Sequence, residues 1–137
     1  MCSNAPVLGH LGVNVADLDT ARRYWHILMP LLGFEVFIDA EDEVAYRPAN
    51  AKPGTYLFVY RAADDRPYSP DAVGLQHLAF MVPTRQDVRD VHAAAVSLGS
   101  RSVHGPQPFP QYPQPYYAAF WRDPFGFTIE AVCHHDR

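Results

Sequence analysis

The chain contains two kinds of apolar pattern, an extended apolar run and a helical spacing of apolar residues. They follow each other in the same order in each half of the chain. An extended apolar run over residues 7–15 precedes a segment whose apolar residues recur every three or four positions, the spacing of a helix with one buried face. Residues 75–82 and the segment after them repeat this order. Gly33 and Gly99 follow the two helical segments, as expected for residues that end helices at positive φ. The pattern predicts a duplicated module.

Helix caps and further strands extend the repeat. Asp17 or Asp19 is the predicted N-cap of the first helix, and Thr84, with Asp87 three residues later, is that of the second. Strands are predicted at 34–38, 44–47 and 55–61, and again at 101–104, 116–122 and 127–133. The predicted fold class is therefore α+β, with two βαβββ modules.

Chain length sets the domain organisation. With 137 residues, the chain can form one ordinary hydrophobic core but hardly two independent domains. We predict one domain over 1–137, with a first module at about 5–62, a polar linker at about 63–72 and a second module at about 73–134. Five of the thirteen prolines fall in 105–115, which predicts an extended loop. Its aromatic side chains are expected to form a pocket wall, and a plain surface connection is the alternative.

Composition excludes several classes of partner. The net charge is −4 and no run of Lys or Arg is present, so a nucleic-acid partner is not expected. No apolar stretch reaches the length of a membrane span, and the N-terminal residues do not resemble a secretion signal. The expectation is a cytoplasmic protein in which Cys2 and Cys133 are free thiols.

Three residues suggest metal chemistry. His10 and His77 occupy matching positions of the two apolar runs, and Glu130 lies within the apolar segment Thr128-Ile129-Glu130-Ala131-Val132. An unpaired buried carboxylate is costly, so Glu130 needs a partner. One divalent metal ion bound by His10, His77 and Glu130 would explain all three residues and would leave coordination positions open for a substrate.

The last hairpin determines which side chains accompany Glu130. A tight turn at 123–126 would pair Arg122 with Phe127 and, counting outward, Ala119 with Glu130. Tyr117 and Trp121 would then share the Glu130 face, and Tyr117 is the candidate acid–base residue. A bulge that shifted the register by one residue would bring Tyr116 to that face instead.

Three motifs resemble the vicinal oxygen chelate superfamily, which groups glyoxalase I, extradiol dioxygenases, fosfomycin-resistance enzymes and bleomycin-resistance proteins. They are HLGVNVADL (10–18) with Tyr24-Trp25, LQHLAF (75–80) and DPFGFTIE (123–130). The resemblance implies paired βαβββ modules that form a curved mixed sheet around a metal, with ligands at the positions of His10, His77 and Glu130. It also implies either a metal-dependent enzyme or a protein that sequesters a drug, as bleomycin-resistance relatives do.

One strand departs from the four-ligand members of this superfamily. The segment Tyr56-Leu57-Phe58-Val59-Tyr60 has no carboxylate, His or Gln at the place of their additional ligand. Tyr56, Phe58 and Tyr60 should share one face of the strand, which makes that part of the site aromatic. Glyoxalase I activity is therefore not expected, and a three-ligand site is more similar to that of the extradiol dioxygenases.

The functional expectation is a lyase, isomerase or ring-cleaving dioxygenase that binds a small molecule through vicinal oxygens. Fe(II), Mn(II), Ni(II) and Zn(II) all suit the ligand set, and a homodimer is expected. The predicted walls of the substrate pocket are Tyr56, Phe58, Tyr60, Phe109, Tyr112 and Trp121.

Overall fold

A computed structural model describes residues 6–64 and 66–137. The chain divides into two compact units, Met1–Asp65 and Arg66–Arg137. Within the described residues, each unit contains four strands and one α-helix in the order βαβββ. The predicted fold class and the predicted duplication are confirmed.

The elements of the two units correspond one to one. Unit 1 contains β1 (His10–Val15), α1 (Leu18–Leu31), β2 (Phe34–Asp39), β3 (Glu43–Pro48) and β4 (Tyr56–Arg61). Unit 2 contains β5 (Leu78–Met81), α2 (Arg85–Ser97), β6 (Arg101–Pro108), β7 (Tyr117–Arg122) and β8 (Thr128–Cys133). The sheet orders are β1-β4-β3-β2 and β5-β8-β7-β6. In each sheet the first pair of strands is parallel, and the other pairs are antiparallel.

Both helices begin at the predicted caps. Asp17 accepts a hydrogen bond from the backbone N–H of Asp19 at the start of α1. At the start of α2, Thr84 and Asp87 form a reciprocal capping box, which satisfies backbone donors that the helix itself cannot pair. Each helix buries an apolar face, which includes Leu28 in α1 and Val91 in α2. Local sequence therefore defines where the helices start and which side packs on the sheet.

The capping box yields a stability prediction. Thr84→Ala removes the hydroxyl that accepts from the Asp87 N–H at 3.0 Å, and we expect the free energy of unfolding to fall by about 1 kcal/mol. Urea unfolding followed by circular dichroism measures the change. Thr84→Ser keeps the hydroxyl and should retain most of this stability. Equal losses in both variants would contradict a role for the cap.

The prediction of a loop over 105–115 is wrong for its first part, because β6 continues to Pro108. β6 is the last strand in the order of its sheet, and an edge strand tolerates prolines because one side of its backbone needs no ladder hydrogen bonds. Its register against β7 shifts twice, between Ser102 and His104 and between His104 and Gln107. The prolines therefore mark an irregular edge strand.

Cys133 is buried and free, as predicted, whereas Cys2 lies outside the described residues. Within the described part of the chain, no helix has the length and apolar character that crossing a membrane requires.

Candidate metal-binding site

The hairpin between β7 and β8 has a different register from the predicted one. Phe120, and not Ala119, pairs with Glu130, and Arg122 pairs with Thr128. The connection spans residues 123–127 because Asp123 Oδ1 accepts hydrogen bonds from the N–H groups of Phe125 and Phe127, both at 2.9 Å. The side chain of Asp123 thus holds a five-residue connection in place of the predicted four-residue turn. The predicted register is wrong by one residue.

This shift exchanges the faces of the β7 side chains. Trp121 is completely buried, with its ring centroid 6.2 Å from that of His92 on α2. The hydroxyl of Tyr117 accepts a hydrogen bond from Arg89 of α2 at 3.2 Å. Tyr117 and Trp121 therefore lie on the helix side of the sheet, away from Glu130. The predictions of Tyr117 as the acid–base residue beside Glu130 and of Trp121 as a pocket wall are wrong in their placement.

Glu130 is a buried carboxylate with two polar neighbours. Only 1% of the residue is exposed. Its Oε2 accepts a hydrogen bond from the hydroxyl of Tyr116 at 2.5 Å, and its Oε1 lies 3.3 Å from Nε2 of His77. Burial, reinforced by the hydrogen bond to Glu130, raises the pKa of Tyr116 above its ordinary value. The phenol therefore keeps its proton at neutral pH.

Gln76 orients the imidazole of His77. Nδ1 of His77 contacts Oε1 of Gln76, and because a carbonyl oxygen can only accept, this contact assigns the ring proton to Nδ1. A neutral His77 then directs the lone pair of Nε2 toward Glu130 Oε1, so that two acceptors face each other. A cation between Nε2 and Oε1, such as a metal ion, would bind both acceptors.

The spacing of the two acceptors suits a metal ion. Nitrogen and oxygen ligands about 2.1 Å from a tetrahedral ion lie about 3.4 Å apart, close to the 3.3 Å between His77 Nε2 and Glu130 Oε1. Each ligand also has a hydrogen-bond partner behind it, Gln76 for the imidazole and Tyr116 for the carboxylate, as is usual for metal ligands. Among residues 6–64 and 66–137, no three His, Cys, Asp or Glu side chains form a cluster that could hold a metal. Unit 2 thus offers a pair of ligands.

Unit 1 has an aromatic residue where unit 2 has its carboxylate. Phe58 pairs with Gly12 in the parallel β1/β4 ladder, as Glu130 pairs with Ala79 in the β5/β8 ladder. The ring of His10 packs edge-on against Phe58, with centroids 5.6 Å apart, and the ring of Tyr60 is stacked with that of Phe58. This face of unit 1 therefore presents one imidazole among aromatic rings, including Tyr56.

A cavity of about 480 Å³ opens beside Glu130 within unit 2. Phe109 and Tyr112, both predicted as walls, line it. Because of the register error, Phe120 and Arg122 were not predicted to line it, although correct strand alternation groups them with Glu130. Tyr116 also lines the cavity, as the alternative register predicted. The remaining lining residues are Pro70, Asp71, Gln76, His77, Val103, His104, Gln111 and Thr128.

Comparison with known families identifies the fold. The family model of the Glyoxalase/Bleomycin resistance protein/Dioxygenase superfamily matches residues 7–131. The chain belongs to this superfamily. Its membership in the glyoxalase/bleomycin resistance/dioxygenase superfamily confirms the resemblance noted from the sequence motifs.

Similar proteins within the glyoxalase/bleomycin resistance/dioxygenase superfamily cover nearly the whole chain. The uncharacterized protein YqjT of Bacillus subtilis (strain 168) is 26% identical over 127 residues, which are 90% of this chain and 95% of YqjT. A candidate glyoxalase from Bacillus halodurans has a TM-score of 0.78 and 26% identity, covering 92% of this chain and 94% of its own. Lactoylglutathione lyase from Agrobacterium tumefaciens has a TM-score of 0.62 and 18% identity, with 96% of both chains covered. The last similarity shows the fold alone.

Proposed function

We propose that this protein is a metal-dependent enzyme that binds a small molecule through vicinal oxygens. The observation that carries the proposal is the Glu130 carboxylate, which is 1% exposed and lies 3.3 Å from an imidazole nitrogen beside a cavity. Burying a charged carboxylate lowers stability unless a cation compensates it. A metal-binding function explains why the chain keeps this arrangement.

The proposed ligands are His77 and Glu130, which lie together in unit 2, and the sequence motifs add His10 as a proposed ligand. Two imidazoles and one carboxylate suit Fe(II), Mn(II), Ni(II) or Zn(II). When bound, such an ion acts as a Lewis acid that stabilises negative charge developing on a substrate oxygen. The structural similarity to a lactoylglutathione lyase and the three-ligand set leave lyase, isomerase and ring-cleaving dioxygenase chemistry as the reaction classes to screen.

Tyr116 is the proposed proton donor. Its hydroxyl keeps its proton at neutral pH, is held by Glu130 Oε2 and lines the cavity. Phe109, Tyr112 and Phe120 line the same cavity and would hold a planar substrate and exclude water from it.

This aromatic lining also favours the alternative function, sequestration of a drug-like molecule in the manner of the bleomycin-resistance proteins. Such a pocket has no need for a buried carboxylate, so we favour the enzyme. A homodimer remains part of the proposal.

Metal removal tests the proposal. Protein purified without chelator should contain near-stoichiometric metal, and stripping it should lower Tm. Returning Fe(II), Mn(II), Ni(II) or Zn(II) at a free concentration 100-fold above its Kd should restore about 2.7 kcal/mol of stability. Elemental analysis and thermal melts provide the measurements, with K⁺ at matched ionic strength as the control. Protein that lacks metal and melts unchanged after metal addition would contradict the enzyme proposal and favour sequestration.

A further inference from the structure

Arg122 brings a positive charge to the cavity of unit 2. It ends β7 and pairs with Thr128 of β8, and both residues line the cavity. Thr128 and Glu130 are two residues apart on β8, so they lie on the same face of the sheet. The lining of the cavity therefore includes both a carboxylate-bearing and a guanidinium-bearing residue on one face of the sheet.

The guanidinium of Arg122 has an unsatisfied donor. Its Nε is buried and has no hydrogen-bond partner among the described residues. A buried donor without a partner destabilises a fold, more so when the group is charged. Arginine carries five N–H donors in a planar fork, and a carboxylate can accept from two of them at once. Because Nε itself is buried, an anionic ligand group in the cavity would accept from the terminal nitrogens of the fork.

The acidic residues of the cavity leave Arg122 available. Glu130 is engaged by Tyr116 and His77. Asp71 is exposed, so water screens its charge. Neither carboxylate is paired with Arg122, and the cavity contains no second Lys or Arg.

We infer that Arg122 binds an anionic group of the ligand. The ligand class is then a small planar compound with vicinal oxygens at one end and a carboxylate at the other. The chelating end rests on the proposed function, whereas the anion subsite requires Arg122 alone. The rings of Phe109 and Phe120 pack edge-on with centroids 5.5 Å apart, and both line the cavity.

Two probes that differ only in charge test the subsite. Calorimetry would compare 3,4-dihydroxybenzoate with its neutral amide, 3,4-dihydroxybenzamide, on the full chain loaded with Zn(II) and on the same protein stripped of metal. Wild type should prefer the carboxylate by about tenfold or more, the effect of a charge-assisted fork. Arg122→Met should abolish the preference by weakening carboxylate binding more than amide binding, while Arg122→Lys should keep a weaker preference. Arg101→Met is the matched control, because Arg101 pairs with Arg122 across the sheet but does not line this cavity.

Comparing the Zn(II)-loaded protein with the metal-free protein distinguishes a failure of the subsite from a failure of the metal site. A carboxylate preference that depends on Arg122 and persists without metal would support the subsite. If metal did not increase the affinity for either probe, that result would contradict the proposed function and leave the subsite standing. Metal-dependent binding of both probes with no carboxylate preference would overturn the subsite and leave the proposed function standing. Absence of binding by either probe at millimolar concentration would overturn the ligand class. A preference retained in a folded Arg122→Met variant would overturn the role of Arg122.

Discussion

Glu130→Gln is expected to lower the affinity for divalent metal by at least about 100-fold, since even loss of a hydrogen bond behind a ligand typically costs 10- to 100-fold. The amide keeps the size of the side chain and can still accept from Tyr116, which donates to Oε2. It removes the negative charge that faces Nε2 of His77. The variant should therefore fold while losing metal. Competition with a chromogenic chelator measures the affinity of both proteins.

Glu35→Gln is the control for this substitution. Glu35 pairs with Arg47 in unit 1 at 2.8 Å, and both side chains are about 40% exposed, so losing its charge should change metal affinity by less than about twofold. Circular dichroism of each variant verifies folding. Metal affinity that is equal in wild type and in a folded Glu130→Gln variant would refute the assignment of Glu130 as a ligand.

Tyr116→Phe is expected to lower turnover about 100-fold or more, the usual effect of removing a general acid or base. The phenol is protonated at neutral pH, burial raises its pKa further above the ordinary value, and the residue lines the cavity. Removing one oxygen atom leaves the ring contacts in place, including that with Phe109 at 6.1 Å. Turnover would be measured on the best substrate from a screen of vicinal diols and hydroxy-ketones, with metal content measured alongside.

The neighbouring tyrosine provides a matched variant. Tyr117→Phe removes the same atom one residue along the strand, where the hydroxyl meets Arg89 of α2. Turnover should stay within about twofold of wild type, because the hydroxyl lies on the other face of the sheet. If Tyr117→Phe proved the more damaging substitution, the acid–base assignment to Tyr116 would be untenable.

The sequence predicted the elements whose causes are local. The cap residues Asp17 and Thr84 lie where side-chain oxygens can meet the first backbone N–H groups of each helix. Gly33 and Gly99 have φ of 87° and 96°, a region that favours glycine. Repetition of these signals in both halves made the βαβββ duplication predictable. The buried position of Glu130 was predictable too, because the residue interrupts an apolar run.

Features that depend on particular side-chain contacts were not predictable. Nothing in the spacing of residues 123–127 shows that Asp123 will accept two backbone hydrogen bonds and lengthen the turn. From composition alone, Pro106 and Pro108 were predicted to lie in a loop. They lie in a strand instead, because β6 is at the edge of its sheet and an edge strand can contain proline. The faces of Tyr116 and Tyr117 depended on the first of these details. The predicted faces of these two tyrosines were therefore exchanged.

The length of the 123–127 connection, which Asp123 stabilises, determines which side chains of β7 face the cavity. Removing one residue between β7 and β8 would turn every side chain of β7 to the opposite face, since successive residues alternate. Phe120 and Arg122 would then point toward the helix, and Trp121 would point into the cavity. Natural variants of this fold should therefore change this loop by even numbers of residues, or compensate odd changes with a bulge. An insertion that would be neutral in most surface loops would here replace one binding surface with another.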